Sequence, residues 1–164
     1  MTVLETIVPV AATGMFNWAW LMIAIPALGA ALLLLGGKAL DKVGPPIAVA
    51  AVLASFAVAA WLFVQLLVAP VDHRAVSVPL YEWIATPSWS VQAGLLIDTL
   101  SILFALLITG VGALIHIYSL GYMAHDERKR RFFAYLNLFI AAMLILVLAD
   151  SYLVLFVGWE GVGL

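Results

Sequence analysis

The sequence predicts an all-α integral membrane protein, a polytopic bundle of transmembrane helices with a short outer-face β-hairpin. Three observations carry that prediction. Hydrophobic residues make up 66% of the chain and charged residues 10%, more apolar surface than a soluble domain of this size can hide. Apolar runs of roughly 20 residues recur, the length needed to cross about 30 Å of hydrocarbon. The basic residues Lys38, Lys42, Arg128, Lys129, Arg130 and Arg131 all fall in alternate connections, and only Arg74 falls in the others.

Residues 1–15 carry Glu5 but no Lys or Arg, so they lack the basic start of a signal peptide. Their apolar stretch is too short to span, and they read as an outer-face lead-in. The first span is 16–37, with Pro26 expected to kink it and Gly36-Gly37 to end it. Residues 38–46 are a short, polar, turn-rich loop. The second span, 47–69, is free of charge. Its Ala50, Ala51, Ala54, Ala57, Ala59 and Ala60 offer a small-residue surface for close packing.

Residues 70–93 break the pattern, because Asp72, His73, Arg74 and Glu82 interrupt the hydropathy. Val76, Val78 and Leu80 alternate with other residues, and so do Trp89 and Val91 after Thr86-Pro87-Ser88. That spacing predicts two short strands around a turn, with Pro79 making at least one of them an edge. Tyr81, Trp83 and Trp89 suit a membrane interface. The third span is 95–123, followed by a basic loop at 124–131 and a fourth span at 132–148 with Tyr135 and Asn137 near its start. Asp150 marks a turn, and a fifth helix begins at 151–164. It stops short of a crossing length, so the chain is expected to be a piece of a longer protein.

The positive-inside rule places 38–46 and 124–131 in the cytoplasm, and the N-terminus, the hairpin and Asp150 outside. The fifth helix then enters from outside. Glu160 lies about ten residues in, about 15 Å of rise and near the bilayer midplane.

Three side chains are candidates for chemistry. Glu160 has no Lys, Arg or His within ten residues of it. A lone carboxylate in hydrocarbon must face protein or water, take a proton or find a partner on another helix. Proton or ion conduction and a structural helix–helix hydrogen bond are both open to it. Gly158, Gly161 and Gly163 beside it predict a packing groove or a hinge. Asp98 is either an N-terminal acid favoured by the helix dipole or an outer-side acid on a proton exit. His116 is either a hydrogen-bonded packing residue or a relay near the inner mouth. Asp98 and His116 are 18 residues apart, about 27 Å along a helix, and cannot touch. Tyr118 and Tyr122 are expected interface anchors, and Arg128 to Arg131 attract anionic lipid headgroups.

The chain has no Cys, which excludes a disulfide, a thiolate-held iron–sulfur cluster, thioether-linked haem and a Cys-type zinc site. His73 and His125, each beside an Asp, are weak metal signals and read as solvated. The net charge of −2 argues for no particular partner. The few basic residues leave no nucleic-acid footprint. No phosphate-binding loop, dinucleotide fingerprint or nucleophile elbow is present.

Several stretches together resemble a known family. They are Gly-Leu-Leu-Ile-Asp-Thr-Leu-Ser at 94–101, Thr-Gly-Val-Gly-Ala-Leu-Ile-His-Ile-Tyr-Ser-Leu-Gly-Tyr-Met at 109–123, and Arg-Phe-Phe-Ala-Tyr-Leu-Asn-Leu-Phe-Ile-Ala-Ala-Met at 131–143. Val-Leu-Ala-Asp at 147–150 and Gly-Trp-Glu-Gly-Val-Gly-Leu at 158–164 complete them. Residues 81–164 resemble the subunit L family of respiratory complex I, the proton-translocating NADH–quinone oxidoreductase, whose mitochondrial counterpart is chain 5. The first two helices agree in placement only.

The resemblance implies an antiporter-like membrane-arm subunit in a bacterial cytoplasmic membrane. Such a subunit translocates protons while other subunits pass electrons from NADH to quinone. It implies no cofactor on this chain, with FMN, iron–sulfur clusters, NADH and quinone elsewhere in the complex. The implied partners are the other membrane-arm subunits, above all the adjacent antiporter-like one, and membrane lipids, with no nucleic acid. Glu160 takes the place of the family's helix Glu, which pairs with a Lys on a later helix. Two rival readings stay open: a subunit of a multi-subunit sodium/proton antiporter, and a non-pumping assembly subunit.

Overall fold

The computed structural model describes residues 8–86 and 89–163, with Trp89 described by its backbone alone. Glu5, the expected turn at Pro87-Ser88, the Trp89 ring and Leu164 lie outside the described residues. Five α-helices and a small sheet make up the fold: α1 (Leu21–Leu35), α2 (Gly44–Val68), α3 (Thr99–Tyr122), α4 (Lys129–Leu148) and α5 (Tyr152–Gly163). The strands are β1 (Val10–Ala11), β2 (Val76–Thr86) and β3 (Trp89–Ile97), in the order β1-β2-β3. The stretch Gly14–Leu35 and helices α2, α3 and α4 are long and apolar enough to cross a membrane.

α4 lies at the centre of the bundle, packed on α1, α2, α3 and α5. Its buried positions Phe133, Ala134, Asn137, Ile140, Ala141, Leu144 and Leu148 recur at helical spacing. The opposite surfaces of the bundle carry Leu, Phe and Trp in the open, including Leu35, Trp61, Leu114 and Trp159. Such surface suits lipid contact and is foreign to a water-soluble monomer.

Several expected boundaries shift, each for a local reason. The first crossing begins as a 3-10 turn at Gly14–Trp18 and becomes α-helical at Leu21. α2 starts at Gly44 instead of 47, because Pro45 and Pro46 occupy its first turn, where a missing N–H costs nothing. The expected alanine surface is divided. Ala50, Ala54 and Ala57 point outward, while Ala48, Val52, Ser55, Ala59, Leu62 and Leu66 form the packed stripe. The Ser55 hydroxyl donates to Met22 O of α1 at 2.6 Å, which satisfies it inside that stripe.

The hairpin is longer than its hydropathy suggests. β3 continues to Ile97, paired opposite Val76, so the third helix begins at Thr99 and not at 95. The lead-in contributes a strand of its own, with Val10 and Ala11 parallel to Val76 and Ser77. β2 is therefore flanked on both sides at its first residues. By Pro79 only β3 remains beside it, and the register shifts between Pro79 and Tyr81. Tyr81 and Trp83 are exposed on this sheet, as an interfacial position requires.

Two contacts fix which ends of the helices lie together. At the hairpin end, Gly94 N donates to Asp150 Oδ1 at 3.1 Å and Asp150 N donates to Gly94 O at 3.3 Å. A Cβ on Gly94 would come within 2.3 Å of Asp150 Oδ2, so only glycine admits this latch. At the other end, Arg130 donates through Nε to Asp41 Oδ1 at 2.8 Å and through its terminal nitrogen to Leu33 O. The basic loop expected at 124–131 is thus partly helix: Lys129, Arg130 and Arg131 form the first turn of α4. Arg130 makes that turn tenable by reaching back to the C-terminal carbonyls of α1.

Arg130→Lys is expected to destabilise the bundle by about 2 kcal/mol, because an ammonium cannot serve the carboxylate and the carbonyl together. Thermal unfolding in detergent would check it, and an unchanged midpoint would assign the clamp no energetic weight.

Candidate functional site

α5 is a continuous helix through Gly163, so the glycines around Glu160 do not unwind it. They make a packing groove. A Cβ on Gly158 would lie 2.5 Å from Leu146 N and 3.1 Å from Ala142 O, and one on Gly161 would lie 3.0 Å from Ala142 Cβ. That contact turns the Val154, Gly158 and Gly161 side of α5 onto α4. Glu160 follows Gly158 by two residues, about 200° around the helix, and projects away from α4. Its side chain is exposed, with Phe156 and Tyr152 one and two turns before it also exposed. Among the described residues no hydrogen bond or ion pair reaches the carboxylate. The fold thus carries an acid about 12 Å from the N-terminal end of α5, on the side turned away from α4.

Asp98 is the N-cap of α3. Its Oδ1 accepts from Ser101 N at 2.7 Å, and Ser101 Oγ accepts from Asp98 N at 2.8 Å. This reciprocal box satisfies two backbone donors at the helix start. Asp98→Ala is expected to cost about 1 kcal/mol, and Asp98→Asn only a few tenths, because the amide oxygen still caps. Unfolding midpoints of the two variants check the cap. A loss of transport in the Asn variant, with stability kept, would mark the carboxylate as an outer-side acid as well.

His116 is buried on α3 and donates from Nδ1 to Gly112 O at 2.7 Å. That bond places the proton on Nδ1 and leaves Nε2 as a lone-pair acceptor in the neutral ring. His116 packs on Phe133, with ring centroids 6.0 Å apart. One turn further along α4 lies Asn137, which is fully buried. His116 Nε2 and both polar atoms of the Asn137 amide have no hydrogen-bond partner among the described residues. Counted from the basic ends of α3 and α4, His116 lies about 9 Å in and Asn137 about 12 Å in. Gly29 of α1 and Ala51 of α2 close the same layer, since a Cβ on Gly29 would meet Ala51 Cβ at 3.1 Å and Asn137 Nδ2 at 3.3 Å.

Sequence reasoning noted Asn137 only as a polar residue near the start of its span. Its place in the 133, 134, 137, 140, 141, 144 stripe was the signal that it faces inward.

The three candidates do not converge. Asp98 caps a helix at the hairpin end, His116 sits inside the bundle toward the basic end, and Glu160 faces off the bundle from α5. No group of three or more potential metal ligands occurs among the described residues. A cavity of about 300 Å³ between the hairpin, α1, α4 and α5 is lined by Trp20, Leu80, Trp83, Ile145, Val154 and Val157 among others. That lining holds no carboxylate, imidazole or amine, and its one phenol is Tyr81.

Comparison with known proteins adds a family to this geometry. Residues 83–133 match the family model described as NADH-Ubiquinone oxidoreductase (complex I), chain 5 N-terminus. The chain is 52% identical over 148 residues to NADH-quinone oxidoreductase subunit L of Mycobacterium tuberculosis (strain CDC 1551 / Oshkosh), covering 90% of this chain and 23% of that one. It is 47% identical over 92 residues to subunit L of Escherichia coli (strain K12), covering 56% of this chain and 15% of that one. It thus spans less than a quarter of the length of these relatives. Among solved structures, a chain of the membrane-bound sulfane sulfur reductase, an archaeal respiratory membrane complex, superposes with a TM-score of 0.70. That match is 21% identical and covers 89% of this chain and 28% of the other, so it speaks for the fold.

Proposed function

We propose that this chain, a homologue of the N-terminal part of NADH-quinone oxidoreductase subunit L, serves as part of an antiporter-like membrane-arm subunit that translocates protons. Translocation is coupled to electron transfer from NADH to quinone, carried out by other subunits that hold the FMN and iron–sulfur clusters. The observation that supports the reading is Glu160, an exposed carboxylate on the side of the apolar helix α5 turned away from α4. Leaving such an acid charged and unpaired in hydrocarbon costs several kcal/mol, which favours a role for its charge.

Glu160 holds or releases a proton where a cation supplied from outside these 164 residues can pair with it. A change in its charge alters the field at that cation, and the proton held there moves on along a hydrated path. Proton movement then follows a lateral change of charge, with the adjacent antiporter-like subunit as the partner on the side of α5 that carries Glu160. His116 serves as an internal relay and Asp98 as an acid near the outer exit. The basic end faces the cytoplasm of a bacterial cell, and the N-terminus lies outside.

Purification of the full-length protein with its partners tests the reading. The expected result is co-purification with flavin and iron–sulfur subunits, and NADH-driven proton movement that does not require sodium. Sodium-dependent exchange without NADH would instead make it a sodium/proton antiporter subunit. Intact NADH-driven pumping by the complex carrying Glu160→Gln would reduce the subunit to an assembly role.

A further inference from the structure

At the basic end of the bundle, Lys38, Asp41, Glu127, Arg128, Arg130 and Arg131 surround a polar recess of about 410 Å³. Four cations and two carboxylates leave it a formal excess of two positive charges. Asp41 is already engaged by Arg130 Nε at 2.8 Å, and Arg130 is held further by Leu33 O. Lys129 turns away and donates from Nζ to Ala124 O at 3.3 Å. Lys38, Arg128 and Arg131 are therefore the cations left to face the recess, with Glu127 as the acid beside them, and all four are exposed.

The recess lies at the edge of the apolar zone. Arg130 reaches the last-turn carbonyls of α1, and next to them Leu34 and Leu35 are 40% and 87% exposed. On α3 the exposed rings of Tyr118 and Tyr122 stack with centroids 5.9 Å apart at this same end. Aromatic rings of that kind mark headgroup depth. Cations above bare leucine surface match a ligand with an anionic head and hydrocarbon tails.

We infer that this recess binds the phosphate headgroup of an anionic phospholipid, with Lys38, Arg128 and Arg131 on the phosphate oxygens and the acyl chains lying along Leu34 and Leu35. A free phosphate shares the head chemistry but makes no use of the leucines. Arginine suits the role because its planar fork meets phosphate oxygens in pairs. The Arg130–Asp41 clamp holds the loop that carries Lys38 against the start of α4, so the two halves of the recess stay together without the lipid.

The test uses the full-length protein in its own membranes, photolabelled with phosphatidylglycerol or phosphatidylcholine carrying a diazirine in the headgroup. Crosslinked peptides are then mapped. Segments 36–43 and 124–131 are expected to take several-fold more of the anionic analogue. Each cation near the surface strengthens binding about fivefold, so removing both arginines with Arg128→Gln and Arg131→Gln should lower that labelling about 25-fold. Equal labelling by the two headgroups overturns the proposal, and so does unchanged labelling in the double variant. Loss of labelling on adding inorganic phosphate would assign the recess to a free anion and overturn the lipid reading. Should the double variant fail to insert, the headgroup comparison in the unsubstituted protein and the single change Lys38→Gln still decide it.

Discussion

Replacing Glu160 with Gln should reduce coupled proton translocation at least tenfold while the protein still inserts and assembles. The side chain is exposed and makes no hydrogen bond or ion pair among the described residues, so the change removes charge without opening a cavity. Gln also keeps an acceptor and gains donors, so a helix–helix hydrogen bond made by this position would survive. The substitution therefore separates the two readings of the acid. Proton uptake by reconstituted vesicles reads the transport, and a native gel reads the assembly. Wild-type pumping in a fully assembled variant would end the charge-coupling proposal. Glu160→Asp refines the result. It keeps the charge and withdraws it by about one methylene, so partial activity is expected where geometry, as well as charge, sets the coupling.

Hydropathy located the crossings because a bilayer demands runs of a minimum length, and the four long helices answer that demand. It placed their ends less well wherever a charged residue belongs to a helix. Lys129, Arg130 and Arg131 read as loop, yet they open α4, because Arg130 finds its carboxylate and carbonyl on segments more than 80 residues away in sequence. No local pattern announces such a partner.

The hairpin shows the same limit from the other side. Its alternation was visible, but the strand Val10–Ala11 and the latch between Gly94 and Asp150 are long-range pairings. The alanines of α2 were correctly read as small and incorrectly read as one surface, since half of them face away from the bundle.

Of the candidate site, Asp98 was legible as a helix-start acid because capping is local: the donor it satisfies lies three residues on. For Glu160, the glycines around it left a groove and a hinge both open, and only the contact of Gly158 and Gly161 with α4 turned the acid to the other side of α5. What covers that side is not written in these residues. His116 and Asn137 come to one level only because α3 and α4 pack together, with Gly112 against Ile140 and His116 against Phe133.

The smallest possible enlargement of Gly158 should have a larger structural effect than any change at Glu160. In most helices Gly→Ala is stabilising by about 1 kcal/mol, because alanine gives up less backbone freedom on folding. At Gly158 the sign reverses. The new methyl would sit 2.5 Å from Leu146 N and 2.8 Å from Leu146 Cα, and both are backbone atoms of α4 that no rotamer change can move. Overpacking of this kind costs about 3 kcal/mol, so α5 must shift away from α4. Among the described residues the contacts of α5 are chiefly with α4, so this seat is the one that the added methyl disturbs.

Gly158→Ala is accordingly expected to lower the amount of assembled protein severalfold and to expose α5 to proteolysis. Gly163→Ala, where nothing lies within 4 Å of the added carbon, should be neutral or slightly stabilising. Limited proteolysis and unfolding midpoints of the pair provide the check. A Gly158→Ala variant as stable as the parent would mean that α5 does not depend on this seat. Loss of transport alone cannot distinguish the two positions, since moving α5 also moves Glu160. The distinction rests on assembly: it should survive the loss of the Glu160 charge and fail with the added methyl at Gly158.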